Sequence, residues 1–238
     1  MSSSNHHLPS YRQLLLDIHR PQTPTLDNFV AGSNLELMQG LHALTAPTST
    51  ETLYLWGPAG CGKTHLLRAV ATAAAEKRPV YITQAATVGE RLDVPPGTLL
   101  IVDDLEQLSA EAQVALFRAF IAARPDRLAL LLSGTTPPLE LALSKEREDL
   151  RTRVGQCLIY EIKPLTDEEK AAALQQHAHG KGMKLEDAII QYVLRHGRRD
   201  LPSLLATVDA LDQASLELKR PATLPLLREI MQLNVETQ

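Results

Sequence analysis

The sequence predicts an α/β protein in which a five-stranded parallel sheet is sandwiched between helices and followed by a small all-α domain. Three features carry that expectation. Short apolar runs alternate with helical patterns from Leu53 onward, as in a parallel sheet covered on both faces. A glycine-rich segment, Gly57–Thr64, separates the first run from the first helical pattern, and strand-like runs cease after Lys163-Pro164.

Taken in order, residues 1–28 are rich in Ser, His, Pro and Thr, and Pro9, Pro21 and Pro24 bracket one apolar cluster, Leu14-Leu15-Leu16-Asp17-Ile18. They read as a tail. Residues 29–164 form the sheet domain, with strands expected at Leu53–Trp56, Val80–Thr83, Leu99–Asp103, Leu128–Ser133 and Leu158–Ile162. Apolar residues at helical spacing predict helices over Lys63–Lys77 and Ala110–Arg124, while Pro95-Pro96-Gly97 forms a turn into the third strand. Residues 165–238 read as helices only: Thr166–Gly180, Leu185–His196, Leu201–Lys219 and Leu224–Leu233. Thr166-Asp167-Glu168-Glu169 opens the first of them as a capping box.

Composition excludes several classes. The 238 residues are 44% hydrophobic and 22% charged, as in globular proteins, and with aromatics at 4% the core must be built from Leu, Ala and Val. The longest uncharged apolar runs fall far short of the ~20 residues that span a bilayer. The opening Met-Ser-Ser-Ser-Asn-His-His lacks the basic start and apolar stretch of a secretory signal. Two cysteines, Cys61 and Cys157, imply no disulfide framework and fit a reducing cytoplasm. A net charge of −4 and a pI near 6.1 disfavour strong autonomous DNA binding, which usually needs a basic face.

The chemistry centres on Gly57-Pro58-Ala59-Gly60-Cys61-Gly62-Lys63-Thr64, which satisfies the phosphate-loop pattern G-x-x-x-x-G-K-[ST] between strand and helix. In that pattern backbone amides surround the phosphates, Lys63 reaches the β/γ oxygens and the Thr64 hydroxyl ligates Mg²⁺. Leu99–Val102 leads into Asp103 and Asp104. Asp103 is placed for the Mg²⁺ shell and Asp104 to polarise a water. The fourth strand ends near Thr135 and Thr136, either a turn or a sensor of the terminal phosphate. Arg147, Arg151 and Arg153 precede the fifth strand, where an arginine can complete a neighbour's site. Residue types alone do not choose among them. Arg199, within Gly197-Arg198-Arg199-Asp200, is a second candidate in the helical domain.

Phosphate loop, Asp-Asp strand end, polar strand tip, edge arginine and lid arginine follow one another as in the AAA+ ATPases, which the chain resembles. The resemblance is closer to the DnaA-related branch, because Leu26–Asn34 looks like the segment leading into the initiator's ATPase domain. That lead-in would cover the adenine. The residues after Arg199 are too few for a helix-turn-helix domain, and Gln13-Leu14-Leu15-Leu16-Asp17-Ile18 is similar to the peptide that docks on the DNA polymerase III β sliding clamp. Together these features resemble the Hda-type regulators of the family.

The resemblance implies a P-loop AAA+ αβα sandwich with a helical lid, binding ADP or ATP with Mg²⁺ through Gly57–Thr64, His65 and Asp103, with Thr64 on the metal and Asp103 reaching it through a water. It implies clamp binding by Gln13, Leu14, Leu16 and Ile18, a finger role for Arg153 and a lid-sensor role for Arg199. Partners would be the DnaA initiator and the clamp, with DNA reached only through the clamp and no membrane. The implied function is negative regulation of replication initiation in the cytoplasm, by stimulating hydrolysis of initiator-bound ATP. The chain departs from the family at Asp104, where Glu is usual, and at Thr135, where an acid is common. Weak or absent hydrolysis of its own nucleotide is therefore expected. Homodimerisation and the choice between ADP and ATP stay open. The competing expectation is a self-contained motor such as a helicase loader, with Asp104 as its acid; a small-molecule kinase is disfavoured because the lid lacks an arginine-rich closing segment.

Overall fold

The structure is a computed structural model that describes residues 23–144 and 148–235. Its sheet comprises β1 (Thr52–Trp56), β2 (Val80–Gln84), β3 (Leu99–Asp103), β4 (Ala129–Gly134) and β5 (Leu158–Glu161). All pairs are parallel, in the order β2-β3-β4-β1-β5. Every residue of β3 and β4 is buried, which is why their sequences read as unbroken apolar runs rather than alternating ones. The edge strands are less covered, with Tyr81 and Ile82 on β2 and Leu158 and Ile159 on β5 exposed.

Alternation along the strands sorts two cores. Leu53, Leu55, Leu99, Ile101 and Leu131 pack with Leu37 and Leu41 of α1 (Leu35–Leu44) and with Leu66, Leu67 and Val70 of α2 (Lys63–Ala75). On the other face Leu100, Val102, Leu130 and Leu132 pack with Leu116 of α3 (Ala110–Ala123) and with Leu150 and Val154 of α4 (Glu148–Gly155). The result is the expected αβα sandwich. Neither α1 nor α4 was among the expected helices. The α1 signal is present, since its buried Leu37, Met38, Leu41 and Leu44 hold helical spacing. In α4 only Leu150 and Val154 are buried, one i,i+4 pair in a charged segment, too little to define a period.

The described residues form two compact units, Thr23–Leu165 and a second from Thr166 onward. Residues 23–28, which composition groups with the tail, pack with the first unit, because Leu26 is 6% exposed and belongs to its core. In the second unit α5 (Asp167–Gly180), α6 (Asp187–His196), α7 (Leu201–Leu218) and α8 (Leu224–Val235) enclose Leu174, Ile189, Leu204, Leu211 and Leu227. The Thr166–Glu169 capping box is formed, and Asp200 caps α7 by accepting from the Ser203 amide at 3.0 Å.

Asn34 ties the entry of α1 to the exit of β5. It is 4% exposed; its amide donates to the Lys163 carbonyl at 2.9 Å and its Oδ1 accepts from the Lys163 amide at 2.9 Å. Asn34→Ala would leave both Lys163 groups without these partners and should lower stability by about 1–3 kcal/mol. A urea titration measures it; a variant as stable as the parent would show that the clasp contributes nothing.

Candidate nucleotide site

The sheet order brings the C-terminal ends of β3, β4 and β1 side by side, the edge at which parallel α/β sheets bind ligands. The loop after β1 is shaped by its glycines. Gly62 has φ +103° as the N-terminal cap of α2, a conformation that L side chains rarely adopt. At Gly57 a Cβ would lie 2.9 Å from Cys61 Sγ and 3.0 Å from the Ile162 carbonyl oxygen. By contrast, Gly60 at φ +78° faces open space. Pro58, Ala59 and Gly60 are exposed.

Lys63 is 7% exposed, and its ammonium donates to the carbonyls of Gly57 at 2.8 Å and Pro58 at 3.2 Å. Among the described residues no carboxylate is paired with it. A buried ammonium held by loop carbonyls fits a phosphate, whose oxygens supply the missing negative charge. The Thr64 hydroxyl donates to Asp103 Oδ2 at 2.7 Å. Strand end and helix start therefore present an adjacent hydroxyl and carboxylate, the few oxygens that Mg²⁺ takes from a protein when phosphates and waters supply the rest. The residues present fit a Mg²⁺-nucleotide.

Burial holds the Cys61 thiol above its ordinary value, although Lys63 and backbone amides pull the other way, so the loop does not make it a reactive thiolate. Asp104 follows β3 with φ 59°, ψ 59°. Burial, then the charges of Asp103 and Glu106, hold its carboxyl above the usual range against the pull of Lys63. Glu106 adds a buried Oε2 without a hydrogen-bond partner among the described residues. Tyr54 donates to the Thr136 carbonyl at 2.7 Å, and burial raises its phenol. Thr135 is exposed.

The residue that sequence reasoning missed is Ser133. It is fully buried, its Oγ accepts from the Asp104 amide at 3.0 Å, and its hydroxyl donates to Asp103 Oδ1. The available signal was a lone hydroxyl closing the apolar run Leu128–Leu132.

The lead-in segment lies over the start of α2. The Phe29 ring sits 5.9 Å from the His65 ring, and His65 Nε2 is 3.4 Å from the Thr25 carbonyl oxygen. Burial lowers the His65 pKa from its ordinary 6.5, more than the Thr25 carbonyl raises it. The unfolded chain therefore binds more protons below about pH 6.5, and stability falls as pH drops through that window. His65→Gln should shrink the loss of Tm between pH 7.5 and 5.5, measured by scanning calorimetry; an unchanged loss would contradict that assignment.

Arg153 is exposed on α4, with no side-chain hydrogen bond or ion pair among the described residues. Arg151 is half-buried, donating to the Leu141 carbonyl at 3.4 Å while its Nε is buried without a partner among the described residues. Arg199 is exposed in the second unit, just before the Asp200 cap. Gln13, Leu14, Leu16, Ile18 and Arg147 lie outside the described residues.

The comparisons with known proteins bear on the fold and the family. A family model described as bacterial DnaA ATPase domain matches residues 21–94, and one described as Hda, lid domain, matches residues 167–231. An uncharacterised protein of Haemophilus influenzae is 32% identical over 232 residues, covering 93% of this chain and 99% of its own. Domain III of the Thermotoga maritima replication initiation protein DnaA superposes with TM-score 0.68 at 17% identity, over 89% of this chain and 96% of that one. A replication initiator DnaA bound to AMPPCP and single-stranded DNA gives TM-score 0.65 at 19% identity, over 83% of this chain and 68% of that one. The chain spans 65% of the length of a similarly folded DNA replication initiation factor. Among the described residues no helix is long and apolar enough to cross a membrane.

Proposed function

Because the chain belongs to the Hda/DnaA-related AAA+ family, we propose that it is a nucleotide-binding regulator of replication initiation that inactivates the initiator by stimulating hydrolysis of its bound ATP. The observation that carries the reading is Arg153, exposed on a helix packed against the sheet and without a described partner. An arginine so held is free to reach a phosphate on another molecule, and fingers of this kind contribute ~10³–10⁵ in rate.

In the chain's own site, Lys63 binds the phosphates, the Gly57–Gly62 backbone amides surround them, and Thr64 with Asp103 holds Mg²⁺. Bound Mg²⁺-nucleotide supplies charge neutralisation across the phosphates. Phe29 and the Thr25–Asn28 turn border that site near His65, so an adenine nucleotide there would brace the lead-in segment. Asp104, with a carboxyl where a longer acid is usual, leaves this nucleotide in a structural role, and Arg199 on the lid is the residue we assign to sensing it. Gln13, Leu14, Leu16 and Ile18 tether the chain to the β sliding clamp: the leucines and isoleucine fill an apolar pocket and the glutamine fixes register. DNA is reached through the clamp. Tethering raises the local concentration of Arg153 at the initiator without new contacts.

A second reading, a self-contained motor, draws on the raised Asp104 carboxyl beside Asp103, an arrangement suited to accepting a proton from water. Steady-state phosphate release by the isolated chain and its Lys63→Ala variant separates the two. The regulator reading expects negligible turnover by both; robust turnover abolished in Lys63→Ala would replace it with the motor.

A further inference from the structure

We infer that Ser133 is the positioning residue that prepares the Asp103 carboxylate for Mg²⁺. The inference rests on the nucleotide-binding reading and goes beyond it, to what orients the metal ligand. Residues Leu99–Val102 of β3 pair with Ala129–Leu132 of β4, so continuing the register sets Asp103 beside Ser133 at the next rung. Ser133 uses both capacities of its hydroxyl at once: Oγ accepts from the Asp104 amide at 3.0 Å and the proton is donated to Asp103 Oδ1. The other oxygen, Oδ2, accepts from Thr64 at 2.7 Å. The four groups form one line, Asp104 amide to Ser133 hydroxyl to Asp103 carboxylate to Thr64 hydroxyl.

The physical consequence concerns the Asp103 side chain. The terminal torsion of an aspartate is broad, so an unheld carboxylate turns freely. Ser133 pins Oδ1 and leaves Oδ2 as the oxygen presented beside the Thr64 hydroxyl. The same hydroxyl satisfies the Asp104 amide, which is needed because Asp104 sits in the left-handed region at φ 59°, where its backbone is costly to hold. Ser133 therefore sets both acids at the end of β3 while its own hydroxyl is engaged by protein groups. Partners that orient a metal ligand in this way typically contribute 10–100-fold to metal affinity.

The test uses the full chain and measures ADP affinity with Mg²⁺ and with EDTA, for the native protein, Ser133→Ala and Ser133→Thr. In Ser133→Ala the gain in affinity conferred by Mg²⁺ should fall about 10-fold, while affinity in EDTA stays within error and the Tm falls by several degrees, as the loss of a buried hydroxyl's two hydrogen bonds requires. Ser133→Thr, which keeps the hydroxyl, should restore the gain. In the ligand-free protein, hydrogen exchange at the Asp104 amide should be faster in Ser133→Ala than in the native chain. An undiminished Mg²⁺ gain in Ser133→Ala would overturn the inference while leaving nucleotide binding intact. A native chain whose affinity ignores Mg²⁺ would overturn the nucleotide-binding reading and the inference with it.

Discussion

Lys63→Ala should weaken ADP or ATP binding at least about 100-fold, equivalent to about 2.7 kcal/mol, and leave the fold unchanged. The ammonium is buried in the loop and, among the described residues, bonded only to the Gly57 and Pro58 carbonyls, so its removal deletes the one basic side chain of the loop. A charge-assisted bond contributes about 1.5–3 kcal/mol, and here the phosphate would lose both that bond and the neutralising charge. Destabilisation should be small, because alanine takes away a cation whose burial was itself unfavourable. Calorimetric titration with nucleotide, alongside circular dichroism of the variant, measures both effects. Native-like affinity in a folded Lys63→Ala protein would contradict the assignment of the loop.

The largest stability effect is expected at Arg78. It is 6% exposed, and its guanidinium donates to the carbonyls of Gly97 at 2.9 Å, Ser49 at 2.8 Å, Ala46 at 3.2 Å, Thr98 at 3.3 Å and Arg127 at 3.5 Å. Those carbonyls come from the loops that enter β1, β3 and β4, so one planar group gathers the N-terminal edge of the sheet. Arg78→Ala would strand several buried acceptors at once and should lower stability by about 3–5 kcal/mol. Arg78→Lys should rescue little, because an ammonium has three donors and no rigid fork. Urea unfolding followed through Trp56 fluorescence reports on this unit. A midpoint within error of the native one for Arg78→Ala would contradict the bonding described.

These two lysine and arginine positions mark how much the sequence could reveal. The phosphate loop is local, so Lys63 and Thr64 were legible from spacing alone, as were the strands whose burial on both faces makes them continuous apolar runs. Arg78 was not, because Glu76-Lys77-Arg78 reads as a solvated helix end and its partners come from three distant loops. Ser133 was obscured for the same reason: its meaning lies in the pairing of β4 with β3, and strand order is invisible to periodicity. Helix α4 escaped notice because one buried i,i+4 pair defines no period, even though it carries Arg153, the residue on which the functional proposal turns.

The most direct test of that proposal is single-turnover hydrolysis of ATP preloaded on the initiator, in the presence of clamp loaded on DNA, with the intact chain and its Gln13→Ala and Arg153→Ala variants. The account predicts that the intact chain accelerates hydrolysis, that Arg153→Ala loses the acceleration by about 10³-fold while still binding nucleotide, and that Gln13→Ala loses it unless the variant is supplied at high concentration. Acceleration by Arg153→Ala equal to that of the intact chain would contradict the account.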